Sequence, residues 1–196
     1  MSYTLPPVNL LSKLSREEQT EILGHLFEPC ETLSSFIVES VIEKDSHHKT
    51  YKQFIETVRK ELLEYLKNAE NESYRSNAPI DPKISKIIAA HPRLGGSSKT
   101  TNVKLSQHSS AEQKSLESSS KEDAEKLIQL NDLYESTFPG LRYVVFVNGR
   151  SRPVVMQNMK ERIDRNDIHL ERVESFEAMC DIALDRARKL GGSENL

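Results

Sequence analysis

Three stretches of the chain carry side chains suited to acid–base or anion chemistry: His91, the run from Ser109 to Gln113, and Arg186. His91 lies seven residues after Ile84, four after Ile87 and three after Ile88. In a helix that spacing places it on the apolar face, near the C-terminal end. An imidazole exchanges protons near neutral pH, with an ordinary pKa of about 6.5. The same position also suits a core or helix-capping histidine held by hydrogen bonds. Ser109-Ser110-Ala111-Glu112-Gln113 divides in the same way. Ser109 with Glu112, or Ser110 with Gln113, fits a helix capping box. A helix N-terminus also offers unpaired amides and positive dipole charge to an anion, and a carboxylate there can orient a nearby imidazole. Arg186 falls beside the apolar stripe formed by Met179, Ala183 and Leu190. A guanidinium turned toward a core needs an anionic partner, because isolated buried charge is costly. That partner is a ligand carboxylate gripped by two hydrogen bonds or a structural Glu or Asp, unless the head reaches water.

Other candidates carry less. Tyr143-Val144-Val145-Phe146-Val147 is the one β-like run, a buried strand or buried extended segment, with Val145 and Phe146 read as core. Asn148-Gly149 closes it with a turn signal. Gly149-Arg150-Ser151-Arg152 is a small basic turn, either an anion nest or a solvated loop with one or two salt bridges. His47-His48 sits in a charged connector and reads as a solvent-exposed pair.

The elements that must position these residues are helices. Ser15-Arg16-Glu17-Glu18 is a capping box that opens a helix carrying Ile22, Leu23, Leu26 and Phe27, with Pro29 as its end. Leu33, Phe36, Ile37 and Val41 mark a second helix, and Tyr51, Phe54, Val58, Leu62 and Tyr65 a third. Asn68 to Pro79 is polar and reads as a loop. Asp81-Pro82 then supplies an N-cap and a first-turn proline for the short helix ahead of His91, with Gly95-Gly96 at its exit. Ser97 to Ser109 reads as a surface loop, followed by a helix broken or restarted at Ser118–Ser120 and continuing through Leu127, Ile128 and Tyr134. Phe138-Pro139-Gly140 is a turn. Val155, Met159 and Ile163 mark a helix after Pro153, and Phe176 to Leu190 the last one, ended by Gly191-Gly192. With no second strand to pair, the expectation is an all-α, single-domain bundle of about eight to nine helices over residues 1–196, its core at about 10–190.

Composition narrows the function classes. The chain has 196 residues, 36% hydrophobic and 29% charged, which suits a globular core. Its 27 basic residues are balanced by 30 acidic ones, for a net charge of −3, so nothing favours nucleic acid as a partner. The two cysteines, Cys30 and Cys180, form no metal-ligand or disulfide pattern, which points to a reducing compartment. No apolar run approaches the roughly 20 residues of a membrane helix. The N-terminus lacks a secretory pattern, and the C-terminus, Ser193-Glu194-Asn195-Leu196, is not Ser-Lys-Leu, so a cytoplasmic location is expected.

Taken together, the motifs resemble the 2-oxo-4-hydroxy-4-carboxy-5-ureidoimidazoline (OHCU) decarboxylases. The matching segments are Ala90-His91-Pro92-Arg93-Leu94-Gly95, Ser109-x-x-Glu112-Gln113, Leu130-Asn131-x-x-Tyr134-x-x-x-Phe138 and Tyr143-Val-Val-Phe-Val-x-Gly149-Arg-Ser-Arg152, in the family's order. The likeness runs from about Leu10 to Leu190. It implies an all-helical, usually homodimeric enzyme of urate breakdown, free of metal or organic cofactor, that yields S-allantoin from a small-molecule substrate, and it leaves a peroxisomal location open despite the lack of Ser-Lys-Leu. By the same resemblance His91, Glu112 and Arg186 are the catalytic set. Pro92, Ser109, Ser110, Ala111, Gln113 and the Tyr143, Val144, Val145, Phe146, Val147 segment contact substrate. Arg93 departs from the acidic residue common at its position, which leaves another small anionic substrate open. A non-catalytic binding or regulatory protein with this fold and a helical adaptor without an enclosed site are the other readings.

Overall fold

The computed structural model describes residues 3–44, 47–95 and 121–191. Within them the chain is helical or irregular, with no strand, as the spacing of apolar residues predicts. A 3-10 turn at Val8–Lys13 leads into α1 (Arg16–Leu26), and α2 (Glu31–Ile37) runs on into a π-helical turn at Val38–Ile42. Then come α3 (Tyr51–Ser76), α4 (Pro82–Ala89), α5 (Lys121–Thr137), α6 (Arg152–Arg165) and α7 (Ile168–Gly191).

Local chemistry starts the helices where the sequence indicates. Ser15 and Glu18 cap each other's amides at α1, at 3.3 and 2.8 Å. Asp81 accepts from the Lys83 amide at 2.9 Å to open α4, with Pro82 in the first turn. Tyr65 donates to the other Asp81 oxygen at 2.6 Å, so the cap of α4 is fixed against α3.

The bundle is built around the long pair α3 and α7, which pack along each other. On α3 the stripe Tyr51, Phe54, Ile55, Val58, Leu62 and Leu66 is almost wholly excluded from water. It faces Phe176, Met179, Cys180, Ala183 and Ala187 in a shared core. Each fully buried large apolar side chain contributes roughly 1.5–3 kcal/mol. Arg59 adds a polar clamp, binding the Glu177 carboxylate, its backbone carbonyl at 3.1 Å, and Asp181 at 2.8 Å. The Leu5 amide donates to Leu190 O at 3.1 Å, and Tyr51 donates to Pro6 O at 2.9 Å, which ties the N-terminal segment across both helices.

Three sequence expectations change. Asn68 to Pro79 is not a loop: α3 continues to Ser76 and ends at Asn77 in a left-handed cap with φ 54°. That extension has no apolar stripe to reveal it, and it is held instead by Glu70, which pairs with Arg172 and His169 of α7. Tyr143 to Val147 is extended without being a strand, and Val145 and Phe146 are half-buried where core positions were expected. His48 is half-buried, bonded to Thr57 at 3.0 Å and edge-on to Phe54, so the His47-His48 pair is not simply solvated. The loop after Gly96 and the helix start at Ser109–Ser120 lie outside the described residues.

Candidate functional site

His91 is placed by α4. Ile84, Ile87 and Ile88 bury one face of that helix completely, and His91 follows on the same face with its amide bonded to Ile88 O at 3.3 Å. The turn beyond it is pinned from two sides. Arg142 donates to His91 O at 3.0 Å, and Asn131 donates to Leu94 O at 3.1 Å. Gly95 closes the turn at φ 69°, where a β-carbon would lie 2.3 Å from Leu127 Cδ2. Both the backbone angle and the space require glycine there.

The imidazole itself is 5% exposed, and neither ring nitrogen has a hydrogen-bond partner among the described residues. A buried polar group left in that state costs about 1–3 kcal/mol, so it marks a place where something other than stability has set the residue. Burial lowers the His91 pKa to about 4; the Glu28 carboxylate opposes that shift and the Arg186 guanidinium adds to it. The resting side chain is therefore neutral at physiological pH.

Glu28 and Arg186 form the other half of this site. Arg186 is 2% exposed and donates from Nη2 to Glu28 Oε1 at 2.7 Å. Of the alternatives open for Arg186, the buried acidic partner is thus the one observed. Glu28 sits between α1 and α2 at φ 144°, outside the conformations that non-glycine residues favour. A buried carboxylate on a strained backbone is a pattern that clusters at functional sites. No periodicity signals Glu28, because it lies in a connector; its only sequence cue is a charged residue set between Phe27 and Pro29.

The Tyr143–Val147 segment is held by its carbonyls. Arg162 donates to Val144 O at 3.0 Å, and Arg150 folds back onto Val147 O at 3.1 Å and onto Phe146 O. Arg150 is thus a clamp on its own loop, not a nest or a salt-bridged solvated residue. Tyr143 donates to Asn158 at 2.6 Å. The amides of Val145, Phe146 and Val147 have no acceptor among the described residues, so they remain as donors. Pro92 follows His91 in the pinned turn and is half-buried. Arg93, the departure from the family pattern, is neutralised: Glu135 takes it in a two-point bond at 2.8 and 2.7 Å, and Asp132 lies at 2.9 Å.

Ser109, Ser110, Ala111, Glu112 and Gln113 lie outside the described residues, so the carboxylate seen beside His91 and Arg186 is Glu28. Among the described residues no three His, Cys, Asp or Glu side chains are grouped as a metal site requires. No described helix is long and apolar enough to cross a membrane. An open groove of about 920 Å³ between α1 and α2, lined by Arg16, His25 and Cys30 among others, does not include His91, Glu28 or Arg186.

The comparisons with known proteins agree on the fold. The family model described as OHCU decarboxylase matches residues 12–188. Among solved structures, the crystal structure of an (S)-allantoin synthase superposes with a TM-score of 0.61 at 16% identity. The match covers 95% of this chain and 54% of that one, so the chain spans about half the length of its structural relative. No curated protein gives a significant match.

Proposed function

From the premise that the chain belongs to the OHCU decarboxylase family, we propose that it is a cofactor-independent carboxy-lyase that converts the ureidoimidazoline to S-allantoin, with His91 moving the proton. The observation that carries this reading is the buried imidazole without a hydrogen-bond partner among the described residues, set beside the Glu28–Arg186 pair.

The substrate carbon that loses CO₂ also bears a hydroxyl and adjoins a C=N bond. That imine accepts the electron pair released as the C–C bond breaks, which is the task a cofactor performs elsewhere. His91 is neutral at rest, so the proton it delivers must first be collected. The substrate hydroxyl is the source. The imidazole takes that proton as the ring carbonyl forms and returns it to the neighbouring ring carbon. The balance is one carboxylate and one solvent proton consumed, one C–H bond and one CO₂ formed. Delivery from a fixed side chain reaches one face only, which sets the handedness of the product. Burial disfavours the charged imidazolium, so the proton is held briefly and passed on readily.

Arg186 supports the charge that moves into the ring, and the unengaged amides of Val145 to Val147 are suited to ring or ureido carbonyls. Glu28 then has two effects on the site. It fixes the plane of the Arg186 guanidinium, and its charge favours the transient imidazolium. Glu112, with Ser109, Ser110, Ala111 and Gln113, supplies the remaining contacts, and two copies of the chain form the working unit.

The test is direct. The labile substrate is generated from urate with the two upstream enzymes, and optical activity is followed with and without the protein. Accelerated, stereospecific S-allantoin formation is the expected result. A rate equal to spontaneous decay, with racemic product, removes the catalytic reading.

A further inference from the structure

Arg152 differs from the other buried arginines. It is 6% exposed, as deeply placed as Arg162 at 4% and Arg186 at 2%. Arg162 is met by Glu171 at 2.7 Å and Arg186 by Glu28 at 2.7 Å. Arg152 has no carboxylate and no hydrogen-bond acceptor among the described residues, and its Nε is shut off from water without a partner. Little of the side chain reaches water, unlike an amphipathic side chain on the surface. A guanidinium in that condition costs stability until an anion joins it.

Arg152 is the first residue of α6, and its side chain turns inward, with Nη2 3.9 Å from where a β-carbon on Gly95 would stand. The point a β-carbon would take there is already filled by the Leu127 side chain, so the guanidinium packs directly beside the turn. Gly95 ends the same pinned turn that begins with His91, and four residues of chain span at most about 14 Å. His91 and Arg152 therefore stand at the two ends of one short turn.

We propose that Arg152 is an anion-binding residue, receiving the carboxylate of a small ligand at the His91–Gly95 turn. A planar carboxylate matches the guanidinium fork and forms two parallel charge-assisted hydrogen bonds. This site rests on the decarboxylase reading only for the identity of that ligand: the substrate carboxylate is one source, and a separate small anion the other. Arg186, already neutralised by Glu28, is then the weaker of the two as the anchor of substrate charge.

The experiment is calorimetric titration of the full chain with three probes. Allantoate is a stable ureido carboxylate, allantoin its neutral relative, and inorganic phosphate a generic anion. Wild-type protein is expected to bind allantoate saturably, and Arg152→Gln to weaken that binding at least tenfold while allantoin is unaffected. Competition by phosphate assigns the site to anions at large; no competition assigns it to carboxylates. Equal allantoate affinity in wild type and Arg152→Gln overturns the proposal, as does the absence of saturable anion binding by wild type. Should Arg152→Gln fail to fold, Arg152→Lys keeps the charge and loses the fork. A threefold or greater weakening supports the site and an unchanged affinity overturns it. Binding through Arg152 by a chain that does not accelerate decarboxylation would sink the proposed reaction and leave this site standing.

Discussion

Two clusters of buried charge lie against α7, and they are built to opposite ends. At the first, Glu171 is fully buried and every partner is protein. Tyr134 donates to it at 2.6 Å, Arg162 at 2.8 Å and Arg165 at 2.7 Å. Tyr143 lies 4.9 Å from the Arg162 guanidinium, in cation–π range. At the second, Arg186 donates to Glu28 at 2.7 Å, yet His91 beside them has no hydrogen-bond partner on either nitrogen among the described residues. The first cluster ties a buried carboxylate to three protein donors and locks α5, α6, α7 and the Tyr143–Val147 segment together. The second leaves groups available. Buried polar side chains that serve stability find protein partners, and those that serve a ligand wait for it.

The widest separation between the clusters is expected on replacing one residue from each. His91→Asn should lower turnover by about 10²–10⁴-fold, as loss of a proton-transfer residue does, with stability moving by less than about 1 kcal/mol. Glu171→Ala should do the reverse to the fold, costing about 3–5 kcal/mol by leaving Arg162 and Arg165 uncompensated. Thermal unfolding of both variants checks this. A large stability loss in His91→Asn, or none in Glu171→Ala, breaks the distinction.

Acid should sharpen it next. The folded His91 titrates at about 4, below the ordinary value of 6.5, so between those pH values the unfolded chain takes up a proton that the folded chain refuses. The His91 contribution is whole above about pH 6.5 and lost as pH falls toward 4, amounting to about 3 kcal/mol. Denaturant melts from pH 7 to 4 should show that slope in wild type, and His91→Asn should lack it. Away from both clusters, Ser15→Ala should cost about 1 kcal/mol through the lost α1 cap and leave turnover alone, a baseline for an ordinary structural hydrogen bond.

The fold was readable where a local rule acts alone. The Ser15–Glu18 box, the Asp81-Pro82 start and the apolar stripe of α3 each need only neighbours within a turn or two, and the structure has all three. His91 was placed on its buried face by the same counting. Arg186 was legible as a charge in need of a partner, but the partner was not: Glu28 lies 158 residues away in a connector without periodicity. Arg152 was hidden for a related reason. A basic residue before Pro153 reads as part of an exposed turn, and its inward course places it beside Gly95, in a turn far away in sequence. The exposed end of α3 was missed because its polar residues carry no stripe, and only contacts to α7 hold them in a helix.

The central claim is that the His91 imidazole is neutral and reserved for a ligand. Nitrogen-detected NMR of ring-labelled histidines in the folded protein measures this directly. The account predicts one imidazole, absent from His91→Asn, that stays neutral until the pH approaches 4. A His91 resonance that titrates at 6.5 or above contradicts it.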